Sequence, residues 1–293
     1  MNRRDGPSSE WTRADGTPAT GTVVFTDLDG TLLDHASYSW APARAALARL
    51  DRLEIPLVIA SSKTRPEIEA WRLRLNNHAP FISENGGALY VPPGATPVPI
   101  AGGRPAFGYL RAEFGAPYAR LREALGLVSR ELAVPLRGFG DMSDAEITRC
   151  TGLTGEELQR ARLREYDEPF LPARALTDDE ESELEARATA LGLRVTRGGR
   201  LRHLIGPSSK GAAARRLLEA YSAGGRKILS IALGDGANDL ELLRVVDLPV
   251  VVARPDGTHT PALRQALPGA RFTTGVGPAG FREAILEYTA HWS

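Results

Sequence analysis

Two stretches of the chain alternate short apolar strands with amphipathic helices, and a helix-richer segment separates them. In the first, residues 22–100, "TVVFTD" reads as a strand and "PARAALARLDRL" as a helix with Leu47, Leu50 and Leu53 on one face. "PLVIAS" is the next strand, and "TRPEIEAWRLRL" a helix with Pro66 in its first turn and Ile68, Trp71 and Leu75 at helical spacing. "PFISENGGALYV" reads as strand, Gly-Gly turn and strand. From about residue 205 the alternation returns with helix "SKGAAARRLLEAY", strand "KILSIAL", helix "NDLELLRVV", strand "PVVVA" and a last helix near "PAGFREAILEY". Strands separated by helices form βαβ units and a parallel sheet.

The middle begins after the Pro/Gly-rich "VPPGATPVPIAGGRPAFG". Three Ser/Thr-x-x-Glu patterns there predict capped helices, at Ser143 with Glu146, Thr154 with Glu157 and Thr177 with Glu180. The arrangement predicts an open, mostly parallel, doubly wound α/β core of residues 22–101 and 205–293, with an α/β domain of residues 102–204 inserted into it. The polar segment 1–21 has no apolar signal region and reads as a loose tail.

A chain of 293 residues buries a large core in one or two domains. Its formal net charge is zero, which gives no electrostatic case for nucleic acid or an anionic membrane surface as partner. No apolar run approaches the ~20 residues of a membrane span. One cysteine, Cys150, excludes an intramolecular disulfide and suits a reducing compartment. The expectation is a soluble cytoplasmic protein. Of 36 basic residues only Lys63, Lys210 and Lys227 are lysines, and two of these stand in the same tripeptide, "SSK".

The chemistry starts at "VVFTDLDGT". Asp27 and Asp29 stand beyond the carboxyl end of a strand, where open α/β sheets place their ligands. If the chain stays extended, the i, i+2 spacing turns both carboxylates to one side, and like charges so close call for a cation. Gly30 permits an immediate turn, and Thr31 supplies a hydroxyl for an anionic ligand. "LGDGAND" repeats the setting, so Asp235 emerges at the same sheet edge as Asp27. Carboxylates converging from separate strands suit a hard divalent cation, and Mg²⁺ takes one or two carboxylates while bridging to phosphate. Ser61 to Thr64 lie between a strand and a helix N-terminus, an anion-binding position. Lys210 precedes another helix and offers a point charge for a phosphate. His35, His78, His259 and His291 have no metal-ligand spacing.

In their order and types, Asp27-x-Asp29-Gly30-Thr31, Ser61, Lys210 and Gly234-Asp235-Gly236-x-Asn238-Asp239 resemble the haloacid-dehalogenase-like phosphatase superfamily. The resemblance implies that Asp27 is a nucleophile forming an aspartyl-phosphate and Asp29 the general acid/base. Ser61 and Lys210 would hold the phosphoryl group. The Asp27 carboxylate, the Asp29 carbonyl and Asp235 would hold Mg²⁺, with Asp239 in support. An insertion after "ENGGALYV" is similar to the subgroup with a large α/β cap. Through "SSKT", "SENGGALY", "REYDEPF" and "GGRLRHL" the chain further resembles the mannosyl-3-phosphoglycerate phosphatase family. That likeness implies a small phosphorylated sugar-glycerate substrate touched by Lys63, Asn85, Arg164, Glu168, Gly199, Arg200 and His203. Arg164, Arg200 and His203 are donors for such an anion, and Glu165, Asp167 or Glu168 are acceptors for sugar hydroxyls. A phosphatase for the glucosyl analogue or another sugar phosphate, a sugar phosphomutase and a non-catalytic sugar-phosphate sensor are the alternatives. Monomer against homodimer, and Mg²⁺ against Mn²⁺ or Co²⁺, stay open at this level.

Overall fold

Burial on both faces of the first strand sets the architecture. In β1 (Gly21–Thr26), Val23 and Phe25 pack into one apolar layer and Val24 into another, as side-chain alternation along a strand requires. A strand that is apolar on both faces sits inside a sheet covered on each side. The computed structural model, which describes residues 19–197 and 201–292, has that arrangement.

After β1 come α1 (Arg44–Arg52), β2 (Leu57–Ala60), α2 (Arg65–Arg74) and a hairpin of β3 (Phe81–Ser83) and β4 (Ala88–Val91), then β5 (Arg104–Ala106) and β6 (Tyr109–Glu113). The middle of the chain forms α3 (Tyr118–Leu132), β7 (Leu136–Gly138), α4 (Asp144–Thr151), α5 (Gly155–Arg162), β8 (Asp167–Pro172), α6 (Asp178–Ala190), β9 (Arg194–Arg197) and β10 (Arg202–Ile205). The last part forms α7 (Lys210–Tyr221), β11 (Ile228–Gly234), α8 (Leu240–Leu243), β12 (Leu248–Ala253), α9 (Pro261–Ala266), β13 (Arg271–Val276) and α10 (Pro278–Tyr288).

The large sheet has the order β13-β12-β11-β1-β2-β3-β4-β6-β5, parallel from β13 to β3 and antiparallel beyond. Ala46 and Leu50 of α1, Ile68 of α2 and Phe281 and Ile285 of α10 cover the Val24 face. Ala213 and Leu217 of α7, Leu242 of α8 and Leu263 of α9 cover the Phe25 face. The fold is therefore the mixed α/β class the alternation predicts. A second, antiparallel sheet of order β7-β8-β10-β9 packs Phe170 and Leu204 against Leu121 and Leu125 of α3 and Leu184 of α6. Among the described residues no helix is long and apolar enough to cross a membrane.

Several local outcomes differ from the expectation. β5 and β6 continue the large sheet past residue 101, Leu89 of β4 pairing with Ala112. The hairpin covers the β4 edge, whose backbone groups would otherwise lie unpaired. Thr20 and Lys227 exchange hydrogen bonds, so Thr20, read as part of the loose tail, is tied to the strand region of the core. Ser143 and Thr177 form their capping boxes, but Thr154 makes no side-chain cap. Gly155 there takes φ +53°, and Glu157 pairs with Arg74 instead. A capping box not foreseen, Thr64 with Glu67, starts α2.

The β3–β4 turn is made not by the Gly86–Gly87 pair alone but by Glu84, Asn85 and Gly86, with φ of 48°, 56° and 92°. A Cβ on Gly86 would land in the Ser209 carbonyl. Gly86→Ala should therefore cost about 3 kcal/mol or more, since strain and a backbone clash combine. Gly94 also has positive φ (74°) but open space around it, so Gly94→Ala should cost only about 1 kcal/mol. Urea denaturation of the two variants checks this; equal losses would remove the close approach to Ser209 as the cause.

Candidate active site

β1 and β11 run parallel with Thr26 opposite Leu233, so the residues after each emerge at one edge. Asp27 and Asp235 are those residues. Beyond Thr26 the chain does not stay extended. Leu28 turns into the core, Asp29 bridges Leu33, and Gly30 takes φ +81°. The two aspartates therefore do not share one strand face, which corrects the expectation drawn from their spacing. Gly30 is also a steric necessity, because a Cβ there would sit 2.8 Å from Oδ2 of Asp235.

Each aspartate meets its own lysine. Lys210, completely buried at the start of α7, donates from Nζ to Asp27 Oδ1 (2.9 Å) and Asp239 Oδ1 (2.7 Å). Lys63 Nζ lies 2.8 Å from Asp29 Oδ2 and over the Tyr38 ring. The residue expected to touch substrate is thus already engaged with the expected acid/base. Ser61 is buried beside them and accepts the Lys63 amide N–H at its hydroxyl (3.2 Å). The Thr31 hydroxyl donates to Asp235 Oδ1 (2.8 Å). Asp239 Oδ2 accepts the amides of Asp235 (3.1 Å) and Gly236 (3.0 Å), so both its oxygens are engaged.

Burial pushes the Asp27 carboxyl up to about 8; Lys210 pulls it down, and Asp239, Asp235 and Asp29 add to the rise. Burial, with Asp239, carries Asp235 up to about 7. Burial opposes the charge on Lys210, but Asp239 and Asp27 outweigh it and raise the group. Lys63 behaves alike, with Asp29 and Glu67 overcoming its burial. Oxygens of Asp27, Asp235 and Asp239 all lie within 4.8 Å of one another. Three carboxylates against one ammonium leave negative charge uncompensated, and the donors are hard oxygens. The residues fit a hard divalent cation. Asp239, fully hydrogen-bonded, orients the loop, leaving Asp27 and Asp235 the more open donors.

The second sheet reaches this edge through hydrogen bonds. Asn85 Nδ2 donates to Asp167 Oδ2 (2.8 Å), and Asn238 Nδ2 donates to Asn85 Oδ1 (3.0 Å). His203 Nδ1 lies 2.9 Å from both Asp167 oxygens. Asn85 and His203, both expected from the sequence, are thus joined through Asp167. Arg164 donates to the Ser62 carbonyl (2.8 Å) and holds the loop that carries Ser61. Glu168 is enclosed in the second sheet, where its Oε1 accepts the Gly140 amide (3.1 Å) and its buried Oε2 has no hydrogen-bond partner among the described residues. Gly199 and Arg200 lie outside the described residues. Glu84 was missed. Its carboxylate accepts the amides of Glu165 (3.0 Å) and Tyr166, and burial pushes it up to about 8. Its signal was an acid in an apolar hairpin ahead of a double glycine.

Lys210→Met would leave Asp27 and Asp239 facing each other in the interior, and should lower stability at neutral pH by about 3–5 kcal/mol in urea. Lys63→Met should cost less, because the Asp29 side chain is 33% exposed. For Glu84 the folded pKa lies above the unfolded one, so its contribution to stability falls as pH rises from 4.5 to about 8. Glu84→Gln should gain on the native protein between pH 5 and 8. Parallel curves of denaturation midpoint against pH would rule Glu84 out as the source.

Residues 24–94 match the family of haloacid dehalogenase-like hydrolases. A protein of Methanococcoides burtonii named glucosyl-3-phosphoglycerate/mannosyl-3-phosphoglycerate phosphatase is 39% identical over 90% of this chain and 96% of its own length. A protein of the same name from Persephonella marina is 34% identical over 90% of this chain and 95% of its own. Among solved structures, a Thermoplasma acidophilum protein superposes with a TM-score of 0.64 at 15% identity, covering 92% of this chain and 99% of that one. A sucrose-phosphatase from Synechocystis superposes with a TM-score of 0.59 at 14% identity, covering 92% and 97%. These two likenesses concern the fold. The chain belongs to the haloacid dehalogenase-like hydrolases and, within them, to the glucosyl-3-phosphoglycerate/mannosyl-3-phosphoglycerate phosphatase family of phosphoric monoester hydrolases.

Proposed function

We propose that the protein is a Mg²⁺-dependent phosphatase that hydrolyses mannosyl-3-phosphoglycerate or its glucosyl counterpart through an aspartyl-phosphate on Asp27. The observation that carries this reading is the meeting of Asp27, Asp235 and Lys210 at one sheet edge, with Asp29 two residues beyond the nucleophile. The names and coverage of the relatives support the substrate class.

Asp27 attacks phosphorus in line while Lys210 holds its Oδ1, and the glycerate oxygen leaves. Asp29 gives that oxygen a proton, then accepts one from the water that cleaves the acyl-phosphate and frees inorganic phosphate. Lys63 keeps the Asp29 carboxylate aimed. Ser61 and the amides of its loop hold phosphoryl oxygens. Asp27, Asp235 and the Asp29 carbonyl would hold Mg²⁺, which when bound supplies positive charge against the phosphoryl oxygens. We assign the segment between β6 and α7, with its antiparallel sheet, as a cap that selects the organic group; Asn85, Asp167 and His203 support this as a polar junction between cap and core. Arg164 and Glu168 act there by shaping the cap rather than from an open surface.

Asp27→Asn should reduce phosphate release from either glycosyl-3-phosphoglycerate by about a thousandfold or more while leaving the fold intact. Phosphate release and circular dichroism read the two together. A folded variant with substantial turnover would sink the nucleophile assignment.

A further inference from the structure

A cleft of about 420 Å³ opens between the core and α5, beside the carboxylate cluster but not within it. That volume falls in the range of about 300–1,000 Å³ typical of small-molecule sites. Tyr38 and Trp40, in the loop before α1, and Trp71 on α2 line it, with Leu153 and Arg160 from the segment bearing α5. Every one of the three rings has a cation over it: Lys63 on Tyr38 at 5.2 Å, Arg44 on Trp40 at 5.1 Å and Arg74 on Trp71 at 4.7 Å. Arg44 is exposed and meets no carboxylate among the described residues.

Lys63 joins this cleft to the chemistry, because it both lines the cleft and holds Asp29. An acid that protonates a leaving oxygen must stand on the leaving-group side of phosphorus. The organic part of the substrate therefore departs toward Asp29, to which the cleft is linked through Lys63. Its lining suits a glycosyl group. The C–H face of a pyranose lies against an aromatic ring, and its hydroxyls take hydrogen bonds from guanidinium groups and give them to Glu67 or Glu157, which also line the cleft.

We propose that this cleft is the subsite for the glycosyl ring of the leaving group, with Trp40 and Trp71 as its contact surfaces and Arg44 as a donor to its hydroxyls. The assignment rests on the phosphatase reading above and deepens it. It makes sugar recognition a joint property of the loop before α1, α2 and the α5 segment, rather than of the antiparallel sheet alone.

The test measures phosphate release from glucosyl-3-phosphoglycerate by the full chain and by Trp40→Ala and Trp71→Ala, with inorganic phosphate as competing inhibitor. Loss of one ring contact should raise KM about tenfold, the equivalent of ~1.4 kcal/mol, with kcat within about threefold. The inhibition constant of inorganic phosphate, which reads the phosphoryl site alone, should not move. If a tryptophan variant does not fold, Arg44→Ala on its exposed side chain carries the test, with KM raised about threefold. Unchanged KM in the folded variants would overturn the subsite, and so would a phosphate inhibition constant that rises in step with KM. Native protein that releases phosphate from neither glycosyl ester would overturn the functional reading itself, a result distinct from active native protein with indifferent variants.

Discussion

Lys210 has no exposed surface, yet its surroundings keep it charged. An ammonium group so placed persists only because carboxylates compensate its lost hydration. Asp27 comes from the first half of the core and Asp239 from the second, so this one cation ties together segments separated by the whole inserted domain. Around it the acids outnumber the bases, and burial raises both Asp27 and Asp235. Such a cluster is poorly arranged for stability alone. Its excess negative charge is what prepares the sheet edge for a divalent cation and a phosphoryl group.

The same constraint spreads outward through backbone packing. Gly86 rests against the Ser209 carbonyl, directly before Lys210. The strained turn that bears Asn85 and the helix that bears Lys210 therefore hold one another in place. Glu84 of that turn accepts the amides of the two residues just before β8, and Asn85 reaches Asp167 in the strand itself. A run of three residues with positive φ is costly, and its position between core and second sheet shows what over-determines it. The nucleophile's partner and the junction with the second sheet are consequently a single packed unit.

Much of this was legible in the chain. The strand–helix alternation predicts the parallel sheet, and strand direction alone predicts that Asp27 and Asp235 emerge at one edge. The terminal strand β13 escaped notice because "RFTTGV" lies at the sheet edge, where polar residues break the apolar run. β5 and β6 were assigned to the insertion because Pro and Gly around them hide the pairing with β4. Thr154 looked like a capping residue, but a positive-φ glycine next to it prevents the geometry.

Local periodicity and chain direction are enough to specify the parallel centre of the sheet, its functional edge and the residue types gathered there. The side-chain pairings come from packing in three dimensions. Asp27 takes Lys210 from 183 residues away, while Asp29 takes Lys63. Asp239 saturates both its oxygens, and Asp167 joins Asn85 to His203. Pairing depends on distances of a few tenths of an ångström between side chains brought together by packing, and no spacing along the chain encodes those.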